Sequence, residues 1–357
     1  MTKLDFVYQG RAGRVVFGAG SLQHLERELS HLNARRALVL CSPEQHAIGE
    51  AIAARLGERS AGVFARATMH VPIELAEEAR LLARELDADC AVAVGGGSTI
   101  GLGKAIALES ELPILAIPTT YAGSEMTPIF GVTEGALKRT GTDLRVLPKT
   151  VIYDPDLTRS LPIELSVTSG INAIAHAAEG LYSQDANPVT SLMAEEGISA
   201  LAKALPAIVA NASDIDARSL ALYGAWLSGA VLGSVGMALH HKLCHTLGGT
   251  FNLPHAQVHT IVLPHALAFN ASAAPEAMSR IARALGSATA ASGVYELARA
   301  NGAQVALKDI GMAAEDLDRA ADIASERPYW NPRPIGRDGL RALLQDAFDG
   351  APPRDRY

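Results

Sequence analysis

Apolar residues in the first ~155 positions fall in short unbroken runs, separated by stretches with helical spacing. RVVFGAGS (14–21) predicts a strand entering a turn, with Ser21 capping a helix that begins LQHLEREL. RALVLCS (36–42) predicts a strand followed by the helix PEQHAIGEAIAARLG. DCAVAVGGGS (89–98) and LPILAIPTT (112–120) predict two more strands, with helical GLGKAIALES between them. Apolar strands without alternation are covered on both faces, which predicts a parallel sheet between layers of helices. VIYDPDLTRSLP (151–162) is punctuated by two prolines and reads as a boundary. From about 163 to 325 alanine- and leucine-rich helical patterns dominate. The proline-rich ERPYWNPRPIGRDG (326–339) reads as a loop, and LRALLQDAF (340–348) as a last short helix. The expected division is therefore an α/β domain over 1–157 and an all-α domain over 158–357.

Residues 219–239, SLALYGAWLSGAVLGSVGMAL, carry no charge and are long enough to span a bilayer. Frequent Ser and Gly, and a His/Lys-rich segment directly after, favour a helix buried on all sides within the helical domain. Composition narrows the classes further. Of 357 residues, 48% are hydrophobic and 19% charged, enough for a sizeable core and too ordered for a disordered chain. Lys and Arg number 31 against 38 Asp and Glu, a formal charge of −7, which speaks against nucleic acid as a partner. Cys41, Cys90 and Cys244 are too few and too scattered for a disulfide framework or a Cys-rich zinc site, so a reducing cytoplasm is the expected compartment. The N-terminal MTKLDFVYQGR has no apolar core of a secretory signal.

Two loops carry candidate chemistry. VAVGGGSTIGLGKAIAL (92–108) runs strand, glycine turn, helix. Gly95, Gly96 and Gly97 let a ligand approach the backbone, and with Ser98 they open a helix whose N–H groups and dipole face an anion, suited to a pyrophosphate. The spacing is neither G-x-G-x-x-G nor a Walker loop, which excludes the usual ATP-dependent phosphoryl transfer. AIPTTYAGSEMTP (116–128) offers Thr119 and Thr120 as a nucleotide wall, with Tyr121 beside them. Histidines are the third feature. Six of eleven lie between His240 and His265, in HHKLCHTLGGTFNLPHAQVHTIVLPH. His241 and His245 share a helix face, as do Asn172 and His176 in GINAIAHAAEG. Such imidazole spacing suggests a metal site, but the expected carboxylate is an amide, a weaker and neutral ligand. His259 and His265 read as structural.

These motifs, GGGSTIGLGK, PTTYAGSE, NAIAH and HKLCH…PH in fixed order, resemble the iron-containing alcohol dehydrogenase superfamily from about residue 14 to the NPR segment at 331–333. The resemblance implies an N-terminal α/β nucleotide-binding domain with a parallel, Rossmann-like sheet, an all-α C-terminal domain, a dehydroquinate synthase-like architecture, and an active site in the cleft between the domains. The superfamily's metal ligands, an Asp and three His, fall on Asn172, His176, His241 and His255, so the Asp is lost. Gly101 stands where the glycine loop usually carries an Asp. Both departures, with YAGSEMTPIFGVTEG and YWNPRP, resemble one branch that works without metal. That branch reduces the carbon–carbon double bond of maleylacetate with NADH or NADPH to 3-oxoadipate, in aromatic-compound catabolism, as a homodimer.

The chemistry agrees with that implication. Hydride delivered β to a ketone leaves a delocalised enolate, which hydrogen-bond donors or an imidazolium can support without a Lewis acid. The expected roles follow. His241 and His245 support and protonate the enolate, with His176 and His255 shaping the former metal cavity beside Asn172. His240 is either a carboxylate donor or a helix residue, the two readings standing level. Arg333 in NPRP and Tyr121 are expected to meet a dicarboxylate substrate. Gly95, Gly96, Gly97 and Ser98 are expected at the pyrophosphate, Thr119 and Thr120 along the rest of the cofactor, and Lys138 near the ribose. Ser42 stands where an Asp would repel a 2′-phosphate, which predicts tolerance of both NADH and NADPH. The competing readings are a metal-dependent alcohol or glycerol dehydrogenase, a lyase of the dehydroquinate synthase kind, and a nucleotide-binding regulatory protein.

Overall fold

The computed structural model describes residues 6–10, 13–135 and 137–354. The chain folds as two compact units, Arg11–Leu161 and a second comprising Met1–Gly10 with Pro162–Tyr357. The 151–162 segment expected to be the boundary begins instead with a strand, because Val151, Ile152 and Tyr153 precede its first proline; the units divide after Leu161.

In the first unit six strands form one parallel sheet. They are β1 (Arg14–Phe17), β2 (Ala37–Leu40), β3 (Ser60–Phe64), β4 (Cys90–Gly95), β5 (Ile114–Pro118) and, after a hairpin, β8 (Thr150–Tyr153). Their order is β1-β8-β5-β4-β2-β3. β2, β4 and β5 at its centre are buried at every residue, as unbroken apolar runs require. Helices α1 (Leu25–His31), α2 (His46–Leu56), α3 (Ile73–Glu85) and α4 (Gly97–Ser110) connect the strands. Two separate apolar clusters use residues from alternate positions of the same central strands. One takes Leu38, Leu40, Ala91 and Ala93 with residues of α3 and α4. The other takes Val39, Val92 and Val94 with residues of α1 and α2. The helices therefore cover both faces. β6 (Ile129–Glu134) and β7 (Leu137–Thr142) form an antiparallel hairpin apart from the main sheet.

The second unit is helical: α5 (Ile163–Tyr182), α6 (Pro188–Ala210), α7 (Ile215–Leu232), α8 (Leu239–Phe251), α9 (His255–Asn270), α10 (Pro275–Leu285), α11 (Ala290–Ala300), α12 (Leu317–Glu326) and α13 (Arg337–Asp349). Leu239, Leu243 and Leu247 of α8 pack with Val258, Ile261 and Val262 of α9 and with Leu340, Leu343 and Leu344 of α13. Burying each such Leu contributes about 2 kcal/mol. The uncharged 219–239 stretch divides among α7, the loop after it and the first residue of α8. Its buried residues, among them Ala221, Ala225 and Ser228, recur on one face rather than all round. Among the described residues no helix is long and apolar enough to cross a membrane.

Candidate active site

The first group of candidate residues sits at the carboxyl ends of adjacent strands. β4 pairs in parallel with β2 on one side and β5 on the other, so the loops after all three meet at one edge of the sheet. In open α/β sheets that edge is where ligands bind. Ser42 follows β2, Gly95 ends β4 with Gly96 to Ser98 after it, and Thr119 and Thr120 follow β5. Gly95 has φ +153, and a Cβ there would stand 2.5 Å from Thr99 Oγ1 and 2.7 Å from Gln45 Oε1. Gly96 lies against Thr120, whose Cγ2 would be 3.0 Å from a Cβ. Gly97, the first residue of α4, is exposed and has nothing within 4 Å of a Cβ position. No side chain caps α4. A helix of fourteen residues thus presents its positive end and backbone donors to open space. Gln45 Nε2 donates to Thr119 Oγ1 at 2.7 Å, and Thr119 N donates to Gly95 O at 3.1 Å, locking the three loops together. The Ser42 hydroxyl donates to the Glu44 carboxylate, holding its pKa below the usual range.

Three further residues noted in the sequence lie in this unit. Tyr121 is fully buried. Gly101 packs against Val71, whose Cγ2 would be 2.9 Å from a Cβ. Lys138 lies on β7, and its side chain falls outside the described residues. Lys104, the lysine downstream of the glycines, is fully buried. It donates to the carbonyls of Ser124 (2.7 Å) and Ile129 (2.8 Å) and to Thr127 Oγ1 (2.9 Å). It braces the 121–129 loop from beneath. Burial pushes its pKa down to about 7. Burial also raises that of Glu125, which accepts from Tyr153 OH at 2.7 Å.

The second group is built within the helical unit by α5, α8 and α9. Asn172, His176 and Glu179 lie on α5 at spacings that put them on one buried face, respectively 3%, 4% and 0% exposed. His176 Nδ1 lies 2.8 Å from His241 Nε2. His241 Nδ1 lies 2.7 Å from Glu179 Oε2. Glu179 also accepts from the backbone N–H of Ala238 (2.8 Å) and His240 (2.7 Å), at the start of α8. The Asn172 Oδ1 atom is buried with no hydrogen-bond partner.

His240 is fully buried, and its Nε2 meets His259 Nδ1 at 2.9 Å. Burial, reinforced by neighbouring imidazoles, holds both rings well below the ordinary histidine pKa, so both are neutral near pH 7. His240 is thus packed inside the helical unit rather than exposed on it. His259, set aside as structural, lies at the heart of the cluster. Its ring centroid is 4.4 Å from that of His255, 4.7 Å from His240 and 5.1 Å from His241. His240, Cys244 and His259 form a buried group whose potential metal-ligand atoms all lie within 4.8 Å of one another. His255 opens α9 and is exposed. His245 is also exposed, with Nδ1 2.9 Å from Tyr329 OH. His241 and His245 therefore share a helix but not an environment. Arg333 Nη1 donates to Phe269 O at 2.9 Å, with its guanidinium 4.2 Å from the Phe269 ring centre. Asn331 bonds Asn270 and Arg333 O, anchoring the NPR loop on the end of α9. His265 is buried, its pKa pushed down to about 4.

Glu179 is the residue that motif reading missed. Its signal was present: an acidic side chain three residues after His176 on an otherwise apolar helix, where an unpaired carboxylate would be prohibitive.

Comparison with known proteins covers both units. Residues 12–155 match the model of the iron-containing alcohol dehydrogenases, and 166–348 match that of the C-terminal region of the Fe-containing alcohol dehydrogenase family. A maleylacetate reductase from Burkholderia cepacia is 64% identical over 98% of this chain and 99% of its own. The crystal structure of a maleylacetate reductase from Agrobacterium tumefaciens superposes with a TM-score of 0.95 at 50% identity, covering 98% and 99% of the two chains. A putative alcohol dehydrogenase from Ralstonia eutropha JMP134 superposes with a TM-score of 0.97 at 66% identity, with the same coverage.

Proposed function

The chain belongs to the iron-containing alcohol dehydrogenase family, and from that premise we propose that it reduces the carbon–carbon double bond of maleylacetate with a nicotinamide cofactor and without a metal. The relatives named for that reaction, at 64% and 50% identity over nearly the whole chain, support the substrate. The glycine loop fits the cofactor. The open backbone at Gly97, the uncapped end of α4 and the close approach of Gly96 to Thr120 form a cradle for a pyrophosphate. When bound, the reduced nicotinamide supplies a hydride to the alkene carbon β to the ketone.

The observation that carries the metal-free reading is the donor set itself. His176 Nδ1 and His241 Nε2 lie within hydrogen-bond distance of each other at 2.8 Å. The fourth inherited position is the Asn172 amide, which offers no charge to a dication. The donor set therefore does not fit the metal, and no step is routed through one.

The residues of the cluster then divide the work. The histidines and the Asn172 amide supply neutral or protonated donors to the enolate oxygen. A proton passes from the His176–His241 pair to the carbon α to the ketone, completing the saturated product. His255 and His245, both exposed, are assigned here to the substrate's carboxylates, a reading supported by Tyr329, which holds His245 at 2.9 Å. Arg333 and His240 hold the loop and the cluster in shape. For the cofactor, Ser42 lacks the negative charge expected to exclude a 2′-phosphate, but its hydroxyl is held by Glu44, whose exposed carboxylate supplies that charge two residues on. Within the expected tolerance of both cofactors, this charge favours NADH. Mixing enzyme, maleylacetate and NADH, and following both cofactor absorbance and product by NMR, tests the proposal: 3-oxoadipate forms one-for-one with NADH consumed. Reduction of the ketone to an alcohol would refute it.

A further inference from the structure

The imidazoles of the cluster could in principle hydrogen-bond in several tautomeric arrangements, since each neutral ring donates from one nitrogen and accepts at the other. We propose that Glu179 is a positioning residue that removes this freedom, fixing His241 with its hydrogen on Nδ1 and thereby fixing the direction of the bond to His176. The inference rests on the reading of His176 and His241 as the proton-transferring pair.

The geometry around Glu179 leaves one arrangement. Oε1 accepts from the backbone N–H of His240 at 2.7 Å and from Tyr182 OH at 3.3 Å. Oε2 accepts from the N–H of Ala238 at 2.8 Å and lies 2.7 Å from His241 Nδ1. An ionised carboxylate can only accept, and the backbone N–H groups bonded to both oxygens favour that form. His241 Nδ1 is therefore the donor to Oε2. In the neutral ring Nε2 must then accept, and the hydrogen in the 2.8 Å contact belongs to His176 Nδ1. A proton that the pair takes up from solvent and gives to the substrate then leaves the same tautomers behind, with no rearrangement of the chain of bonds.

The same carboxylate stands in for a missing cap. Ala238 has no side chain able to cap α8, and Glu179 reaches across from α5 to do so. Because α8 carries both the cap and His241, helix position and ring orientation are set together by one group.

Two measurements test this. In wild-type enzyme with ¹⁵N-labelled histidine, at a pH where the ring is neutral, NMR is expected to show His241 as the Nδ1–H tautomer; an Nε2–H tautomer would overturn the proposal. In Glu179→Gln, the amide cannot accept everywhere the carboxylate does, and kcat is expected to fall about 10- to 100-fold with KM for both substrates little changed. Glu179→Asp should recover part of the loss if its shorter arm still reaches Nδ1. Wild-type kcat in a folded Glu179→Gln enzyme, alongside impaired His176→Ala and His241→Ala enzymes, would refute the role of Glu179 alone. Unimpaired turnover in all three would instead refute the underlying reading of the pair.

Discussion

Replacing Gly97 with alanine separates ligand binding from folding more cleanly than any other change in the glycine loop. The position is exposed, its φ is not in the left-handed region, and a Cβ built there meets nothing within 4 Å. It is also the first residue of α4, where alanine costs the unfolded chain more entropy than glycine does. The fold should therefore be unchanged or up to about 1 kcal/mol more stable. A pyrophosphate resting on the Gly97 and Ser98 N–H groups cannot tolerate the methyl. Losing one or two charge-assisted hydrogen bonds of about 1.5 kcal/mol each weakens binding roughly 10- to 150-fold. Gly95→Ala is the contrasting control. Its φ of +153 and the 2.5 Å approach to Thr99 Oγ1 predict destabilisation of a few kcal/mol, with cofactor affinity lost through the fold. Quenching of intrinsic fluorescence gives the NADH dissociation constant, and denaturant unfolding gives the stability. A Gly97→Ala protein of undiminished stability that binds NADH as tightly as wild type would refute the placement of the phosphates.

Other expectations follow from single residues. Wild-type enzyme should show a higher kcat/KM with NADH than with NADPH, and Glu44→Gln should raise the NADPH value roughly tenfold relative to NADH by removing the charge that faces a 2′-phosphate; an unchanged ratio would place the ribose elsewhere. His265 is buried with its pKa pushed down to about 4, so the folded state resists the proton that the unfolded chain accepts near 6.5. Stability should accordingly fall as pH drops from about 6.5 to 4, by about 3 kcal/mol from this group, and the melting temperature of His265→Gln should lose part of that slope. An identical pH slope in the variant would show that the ring charges without leaving its site.

The central strands were legible because a sheet buried on both faces demands unbroken apolar runs, and residues 37–40, 90–95 and 114–118 supply them. β3 escaped notice because SAGVF is short and half-buried, with Gly62 at its centre in the positive-φ region. The β6–β7 hairpin was hidden by the polarity of LKRTGT, which pairs across a ladder rather than against a core. The histidine cluster was legible as a density of imidazoles, but not its internal bonding. The i, i+4 rule correctly joins His241 and His245 on a helix; only the packing of α5 against α9 and of α8 against α9 decides that one is buried beside His176 while the other is exposed beside Tyr329. His259 and Glu179 belong to the cluster through that packing alone, across 62 residues of sequence in the case of Glu179 and His241.

The metal-free chemistry is tested most directly by assaying enzyme treated with a chelator and then analysed for bound metal, using maleylacetate and NADH. Full turnover with far less than one equivalent of iron or zinc per chain is the predicted result. Turnover that vanishes on chelation and returns in proportion to one metal ion per chain, with that ion bound by His176 and His241, would contradict it.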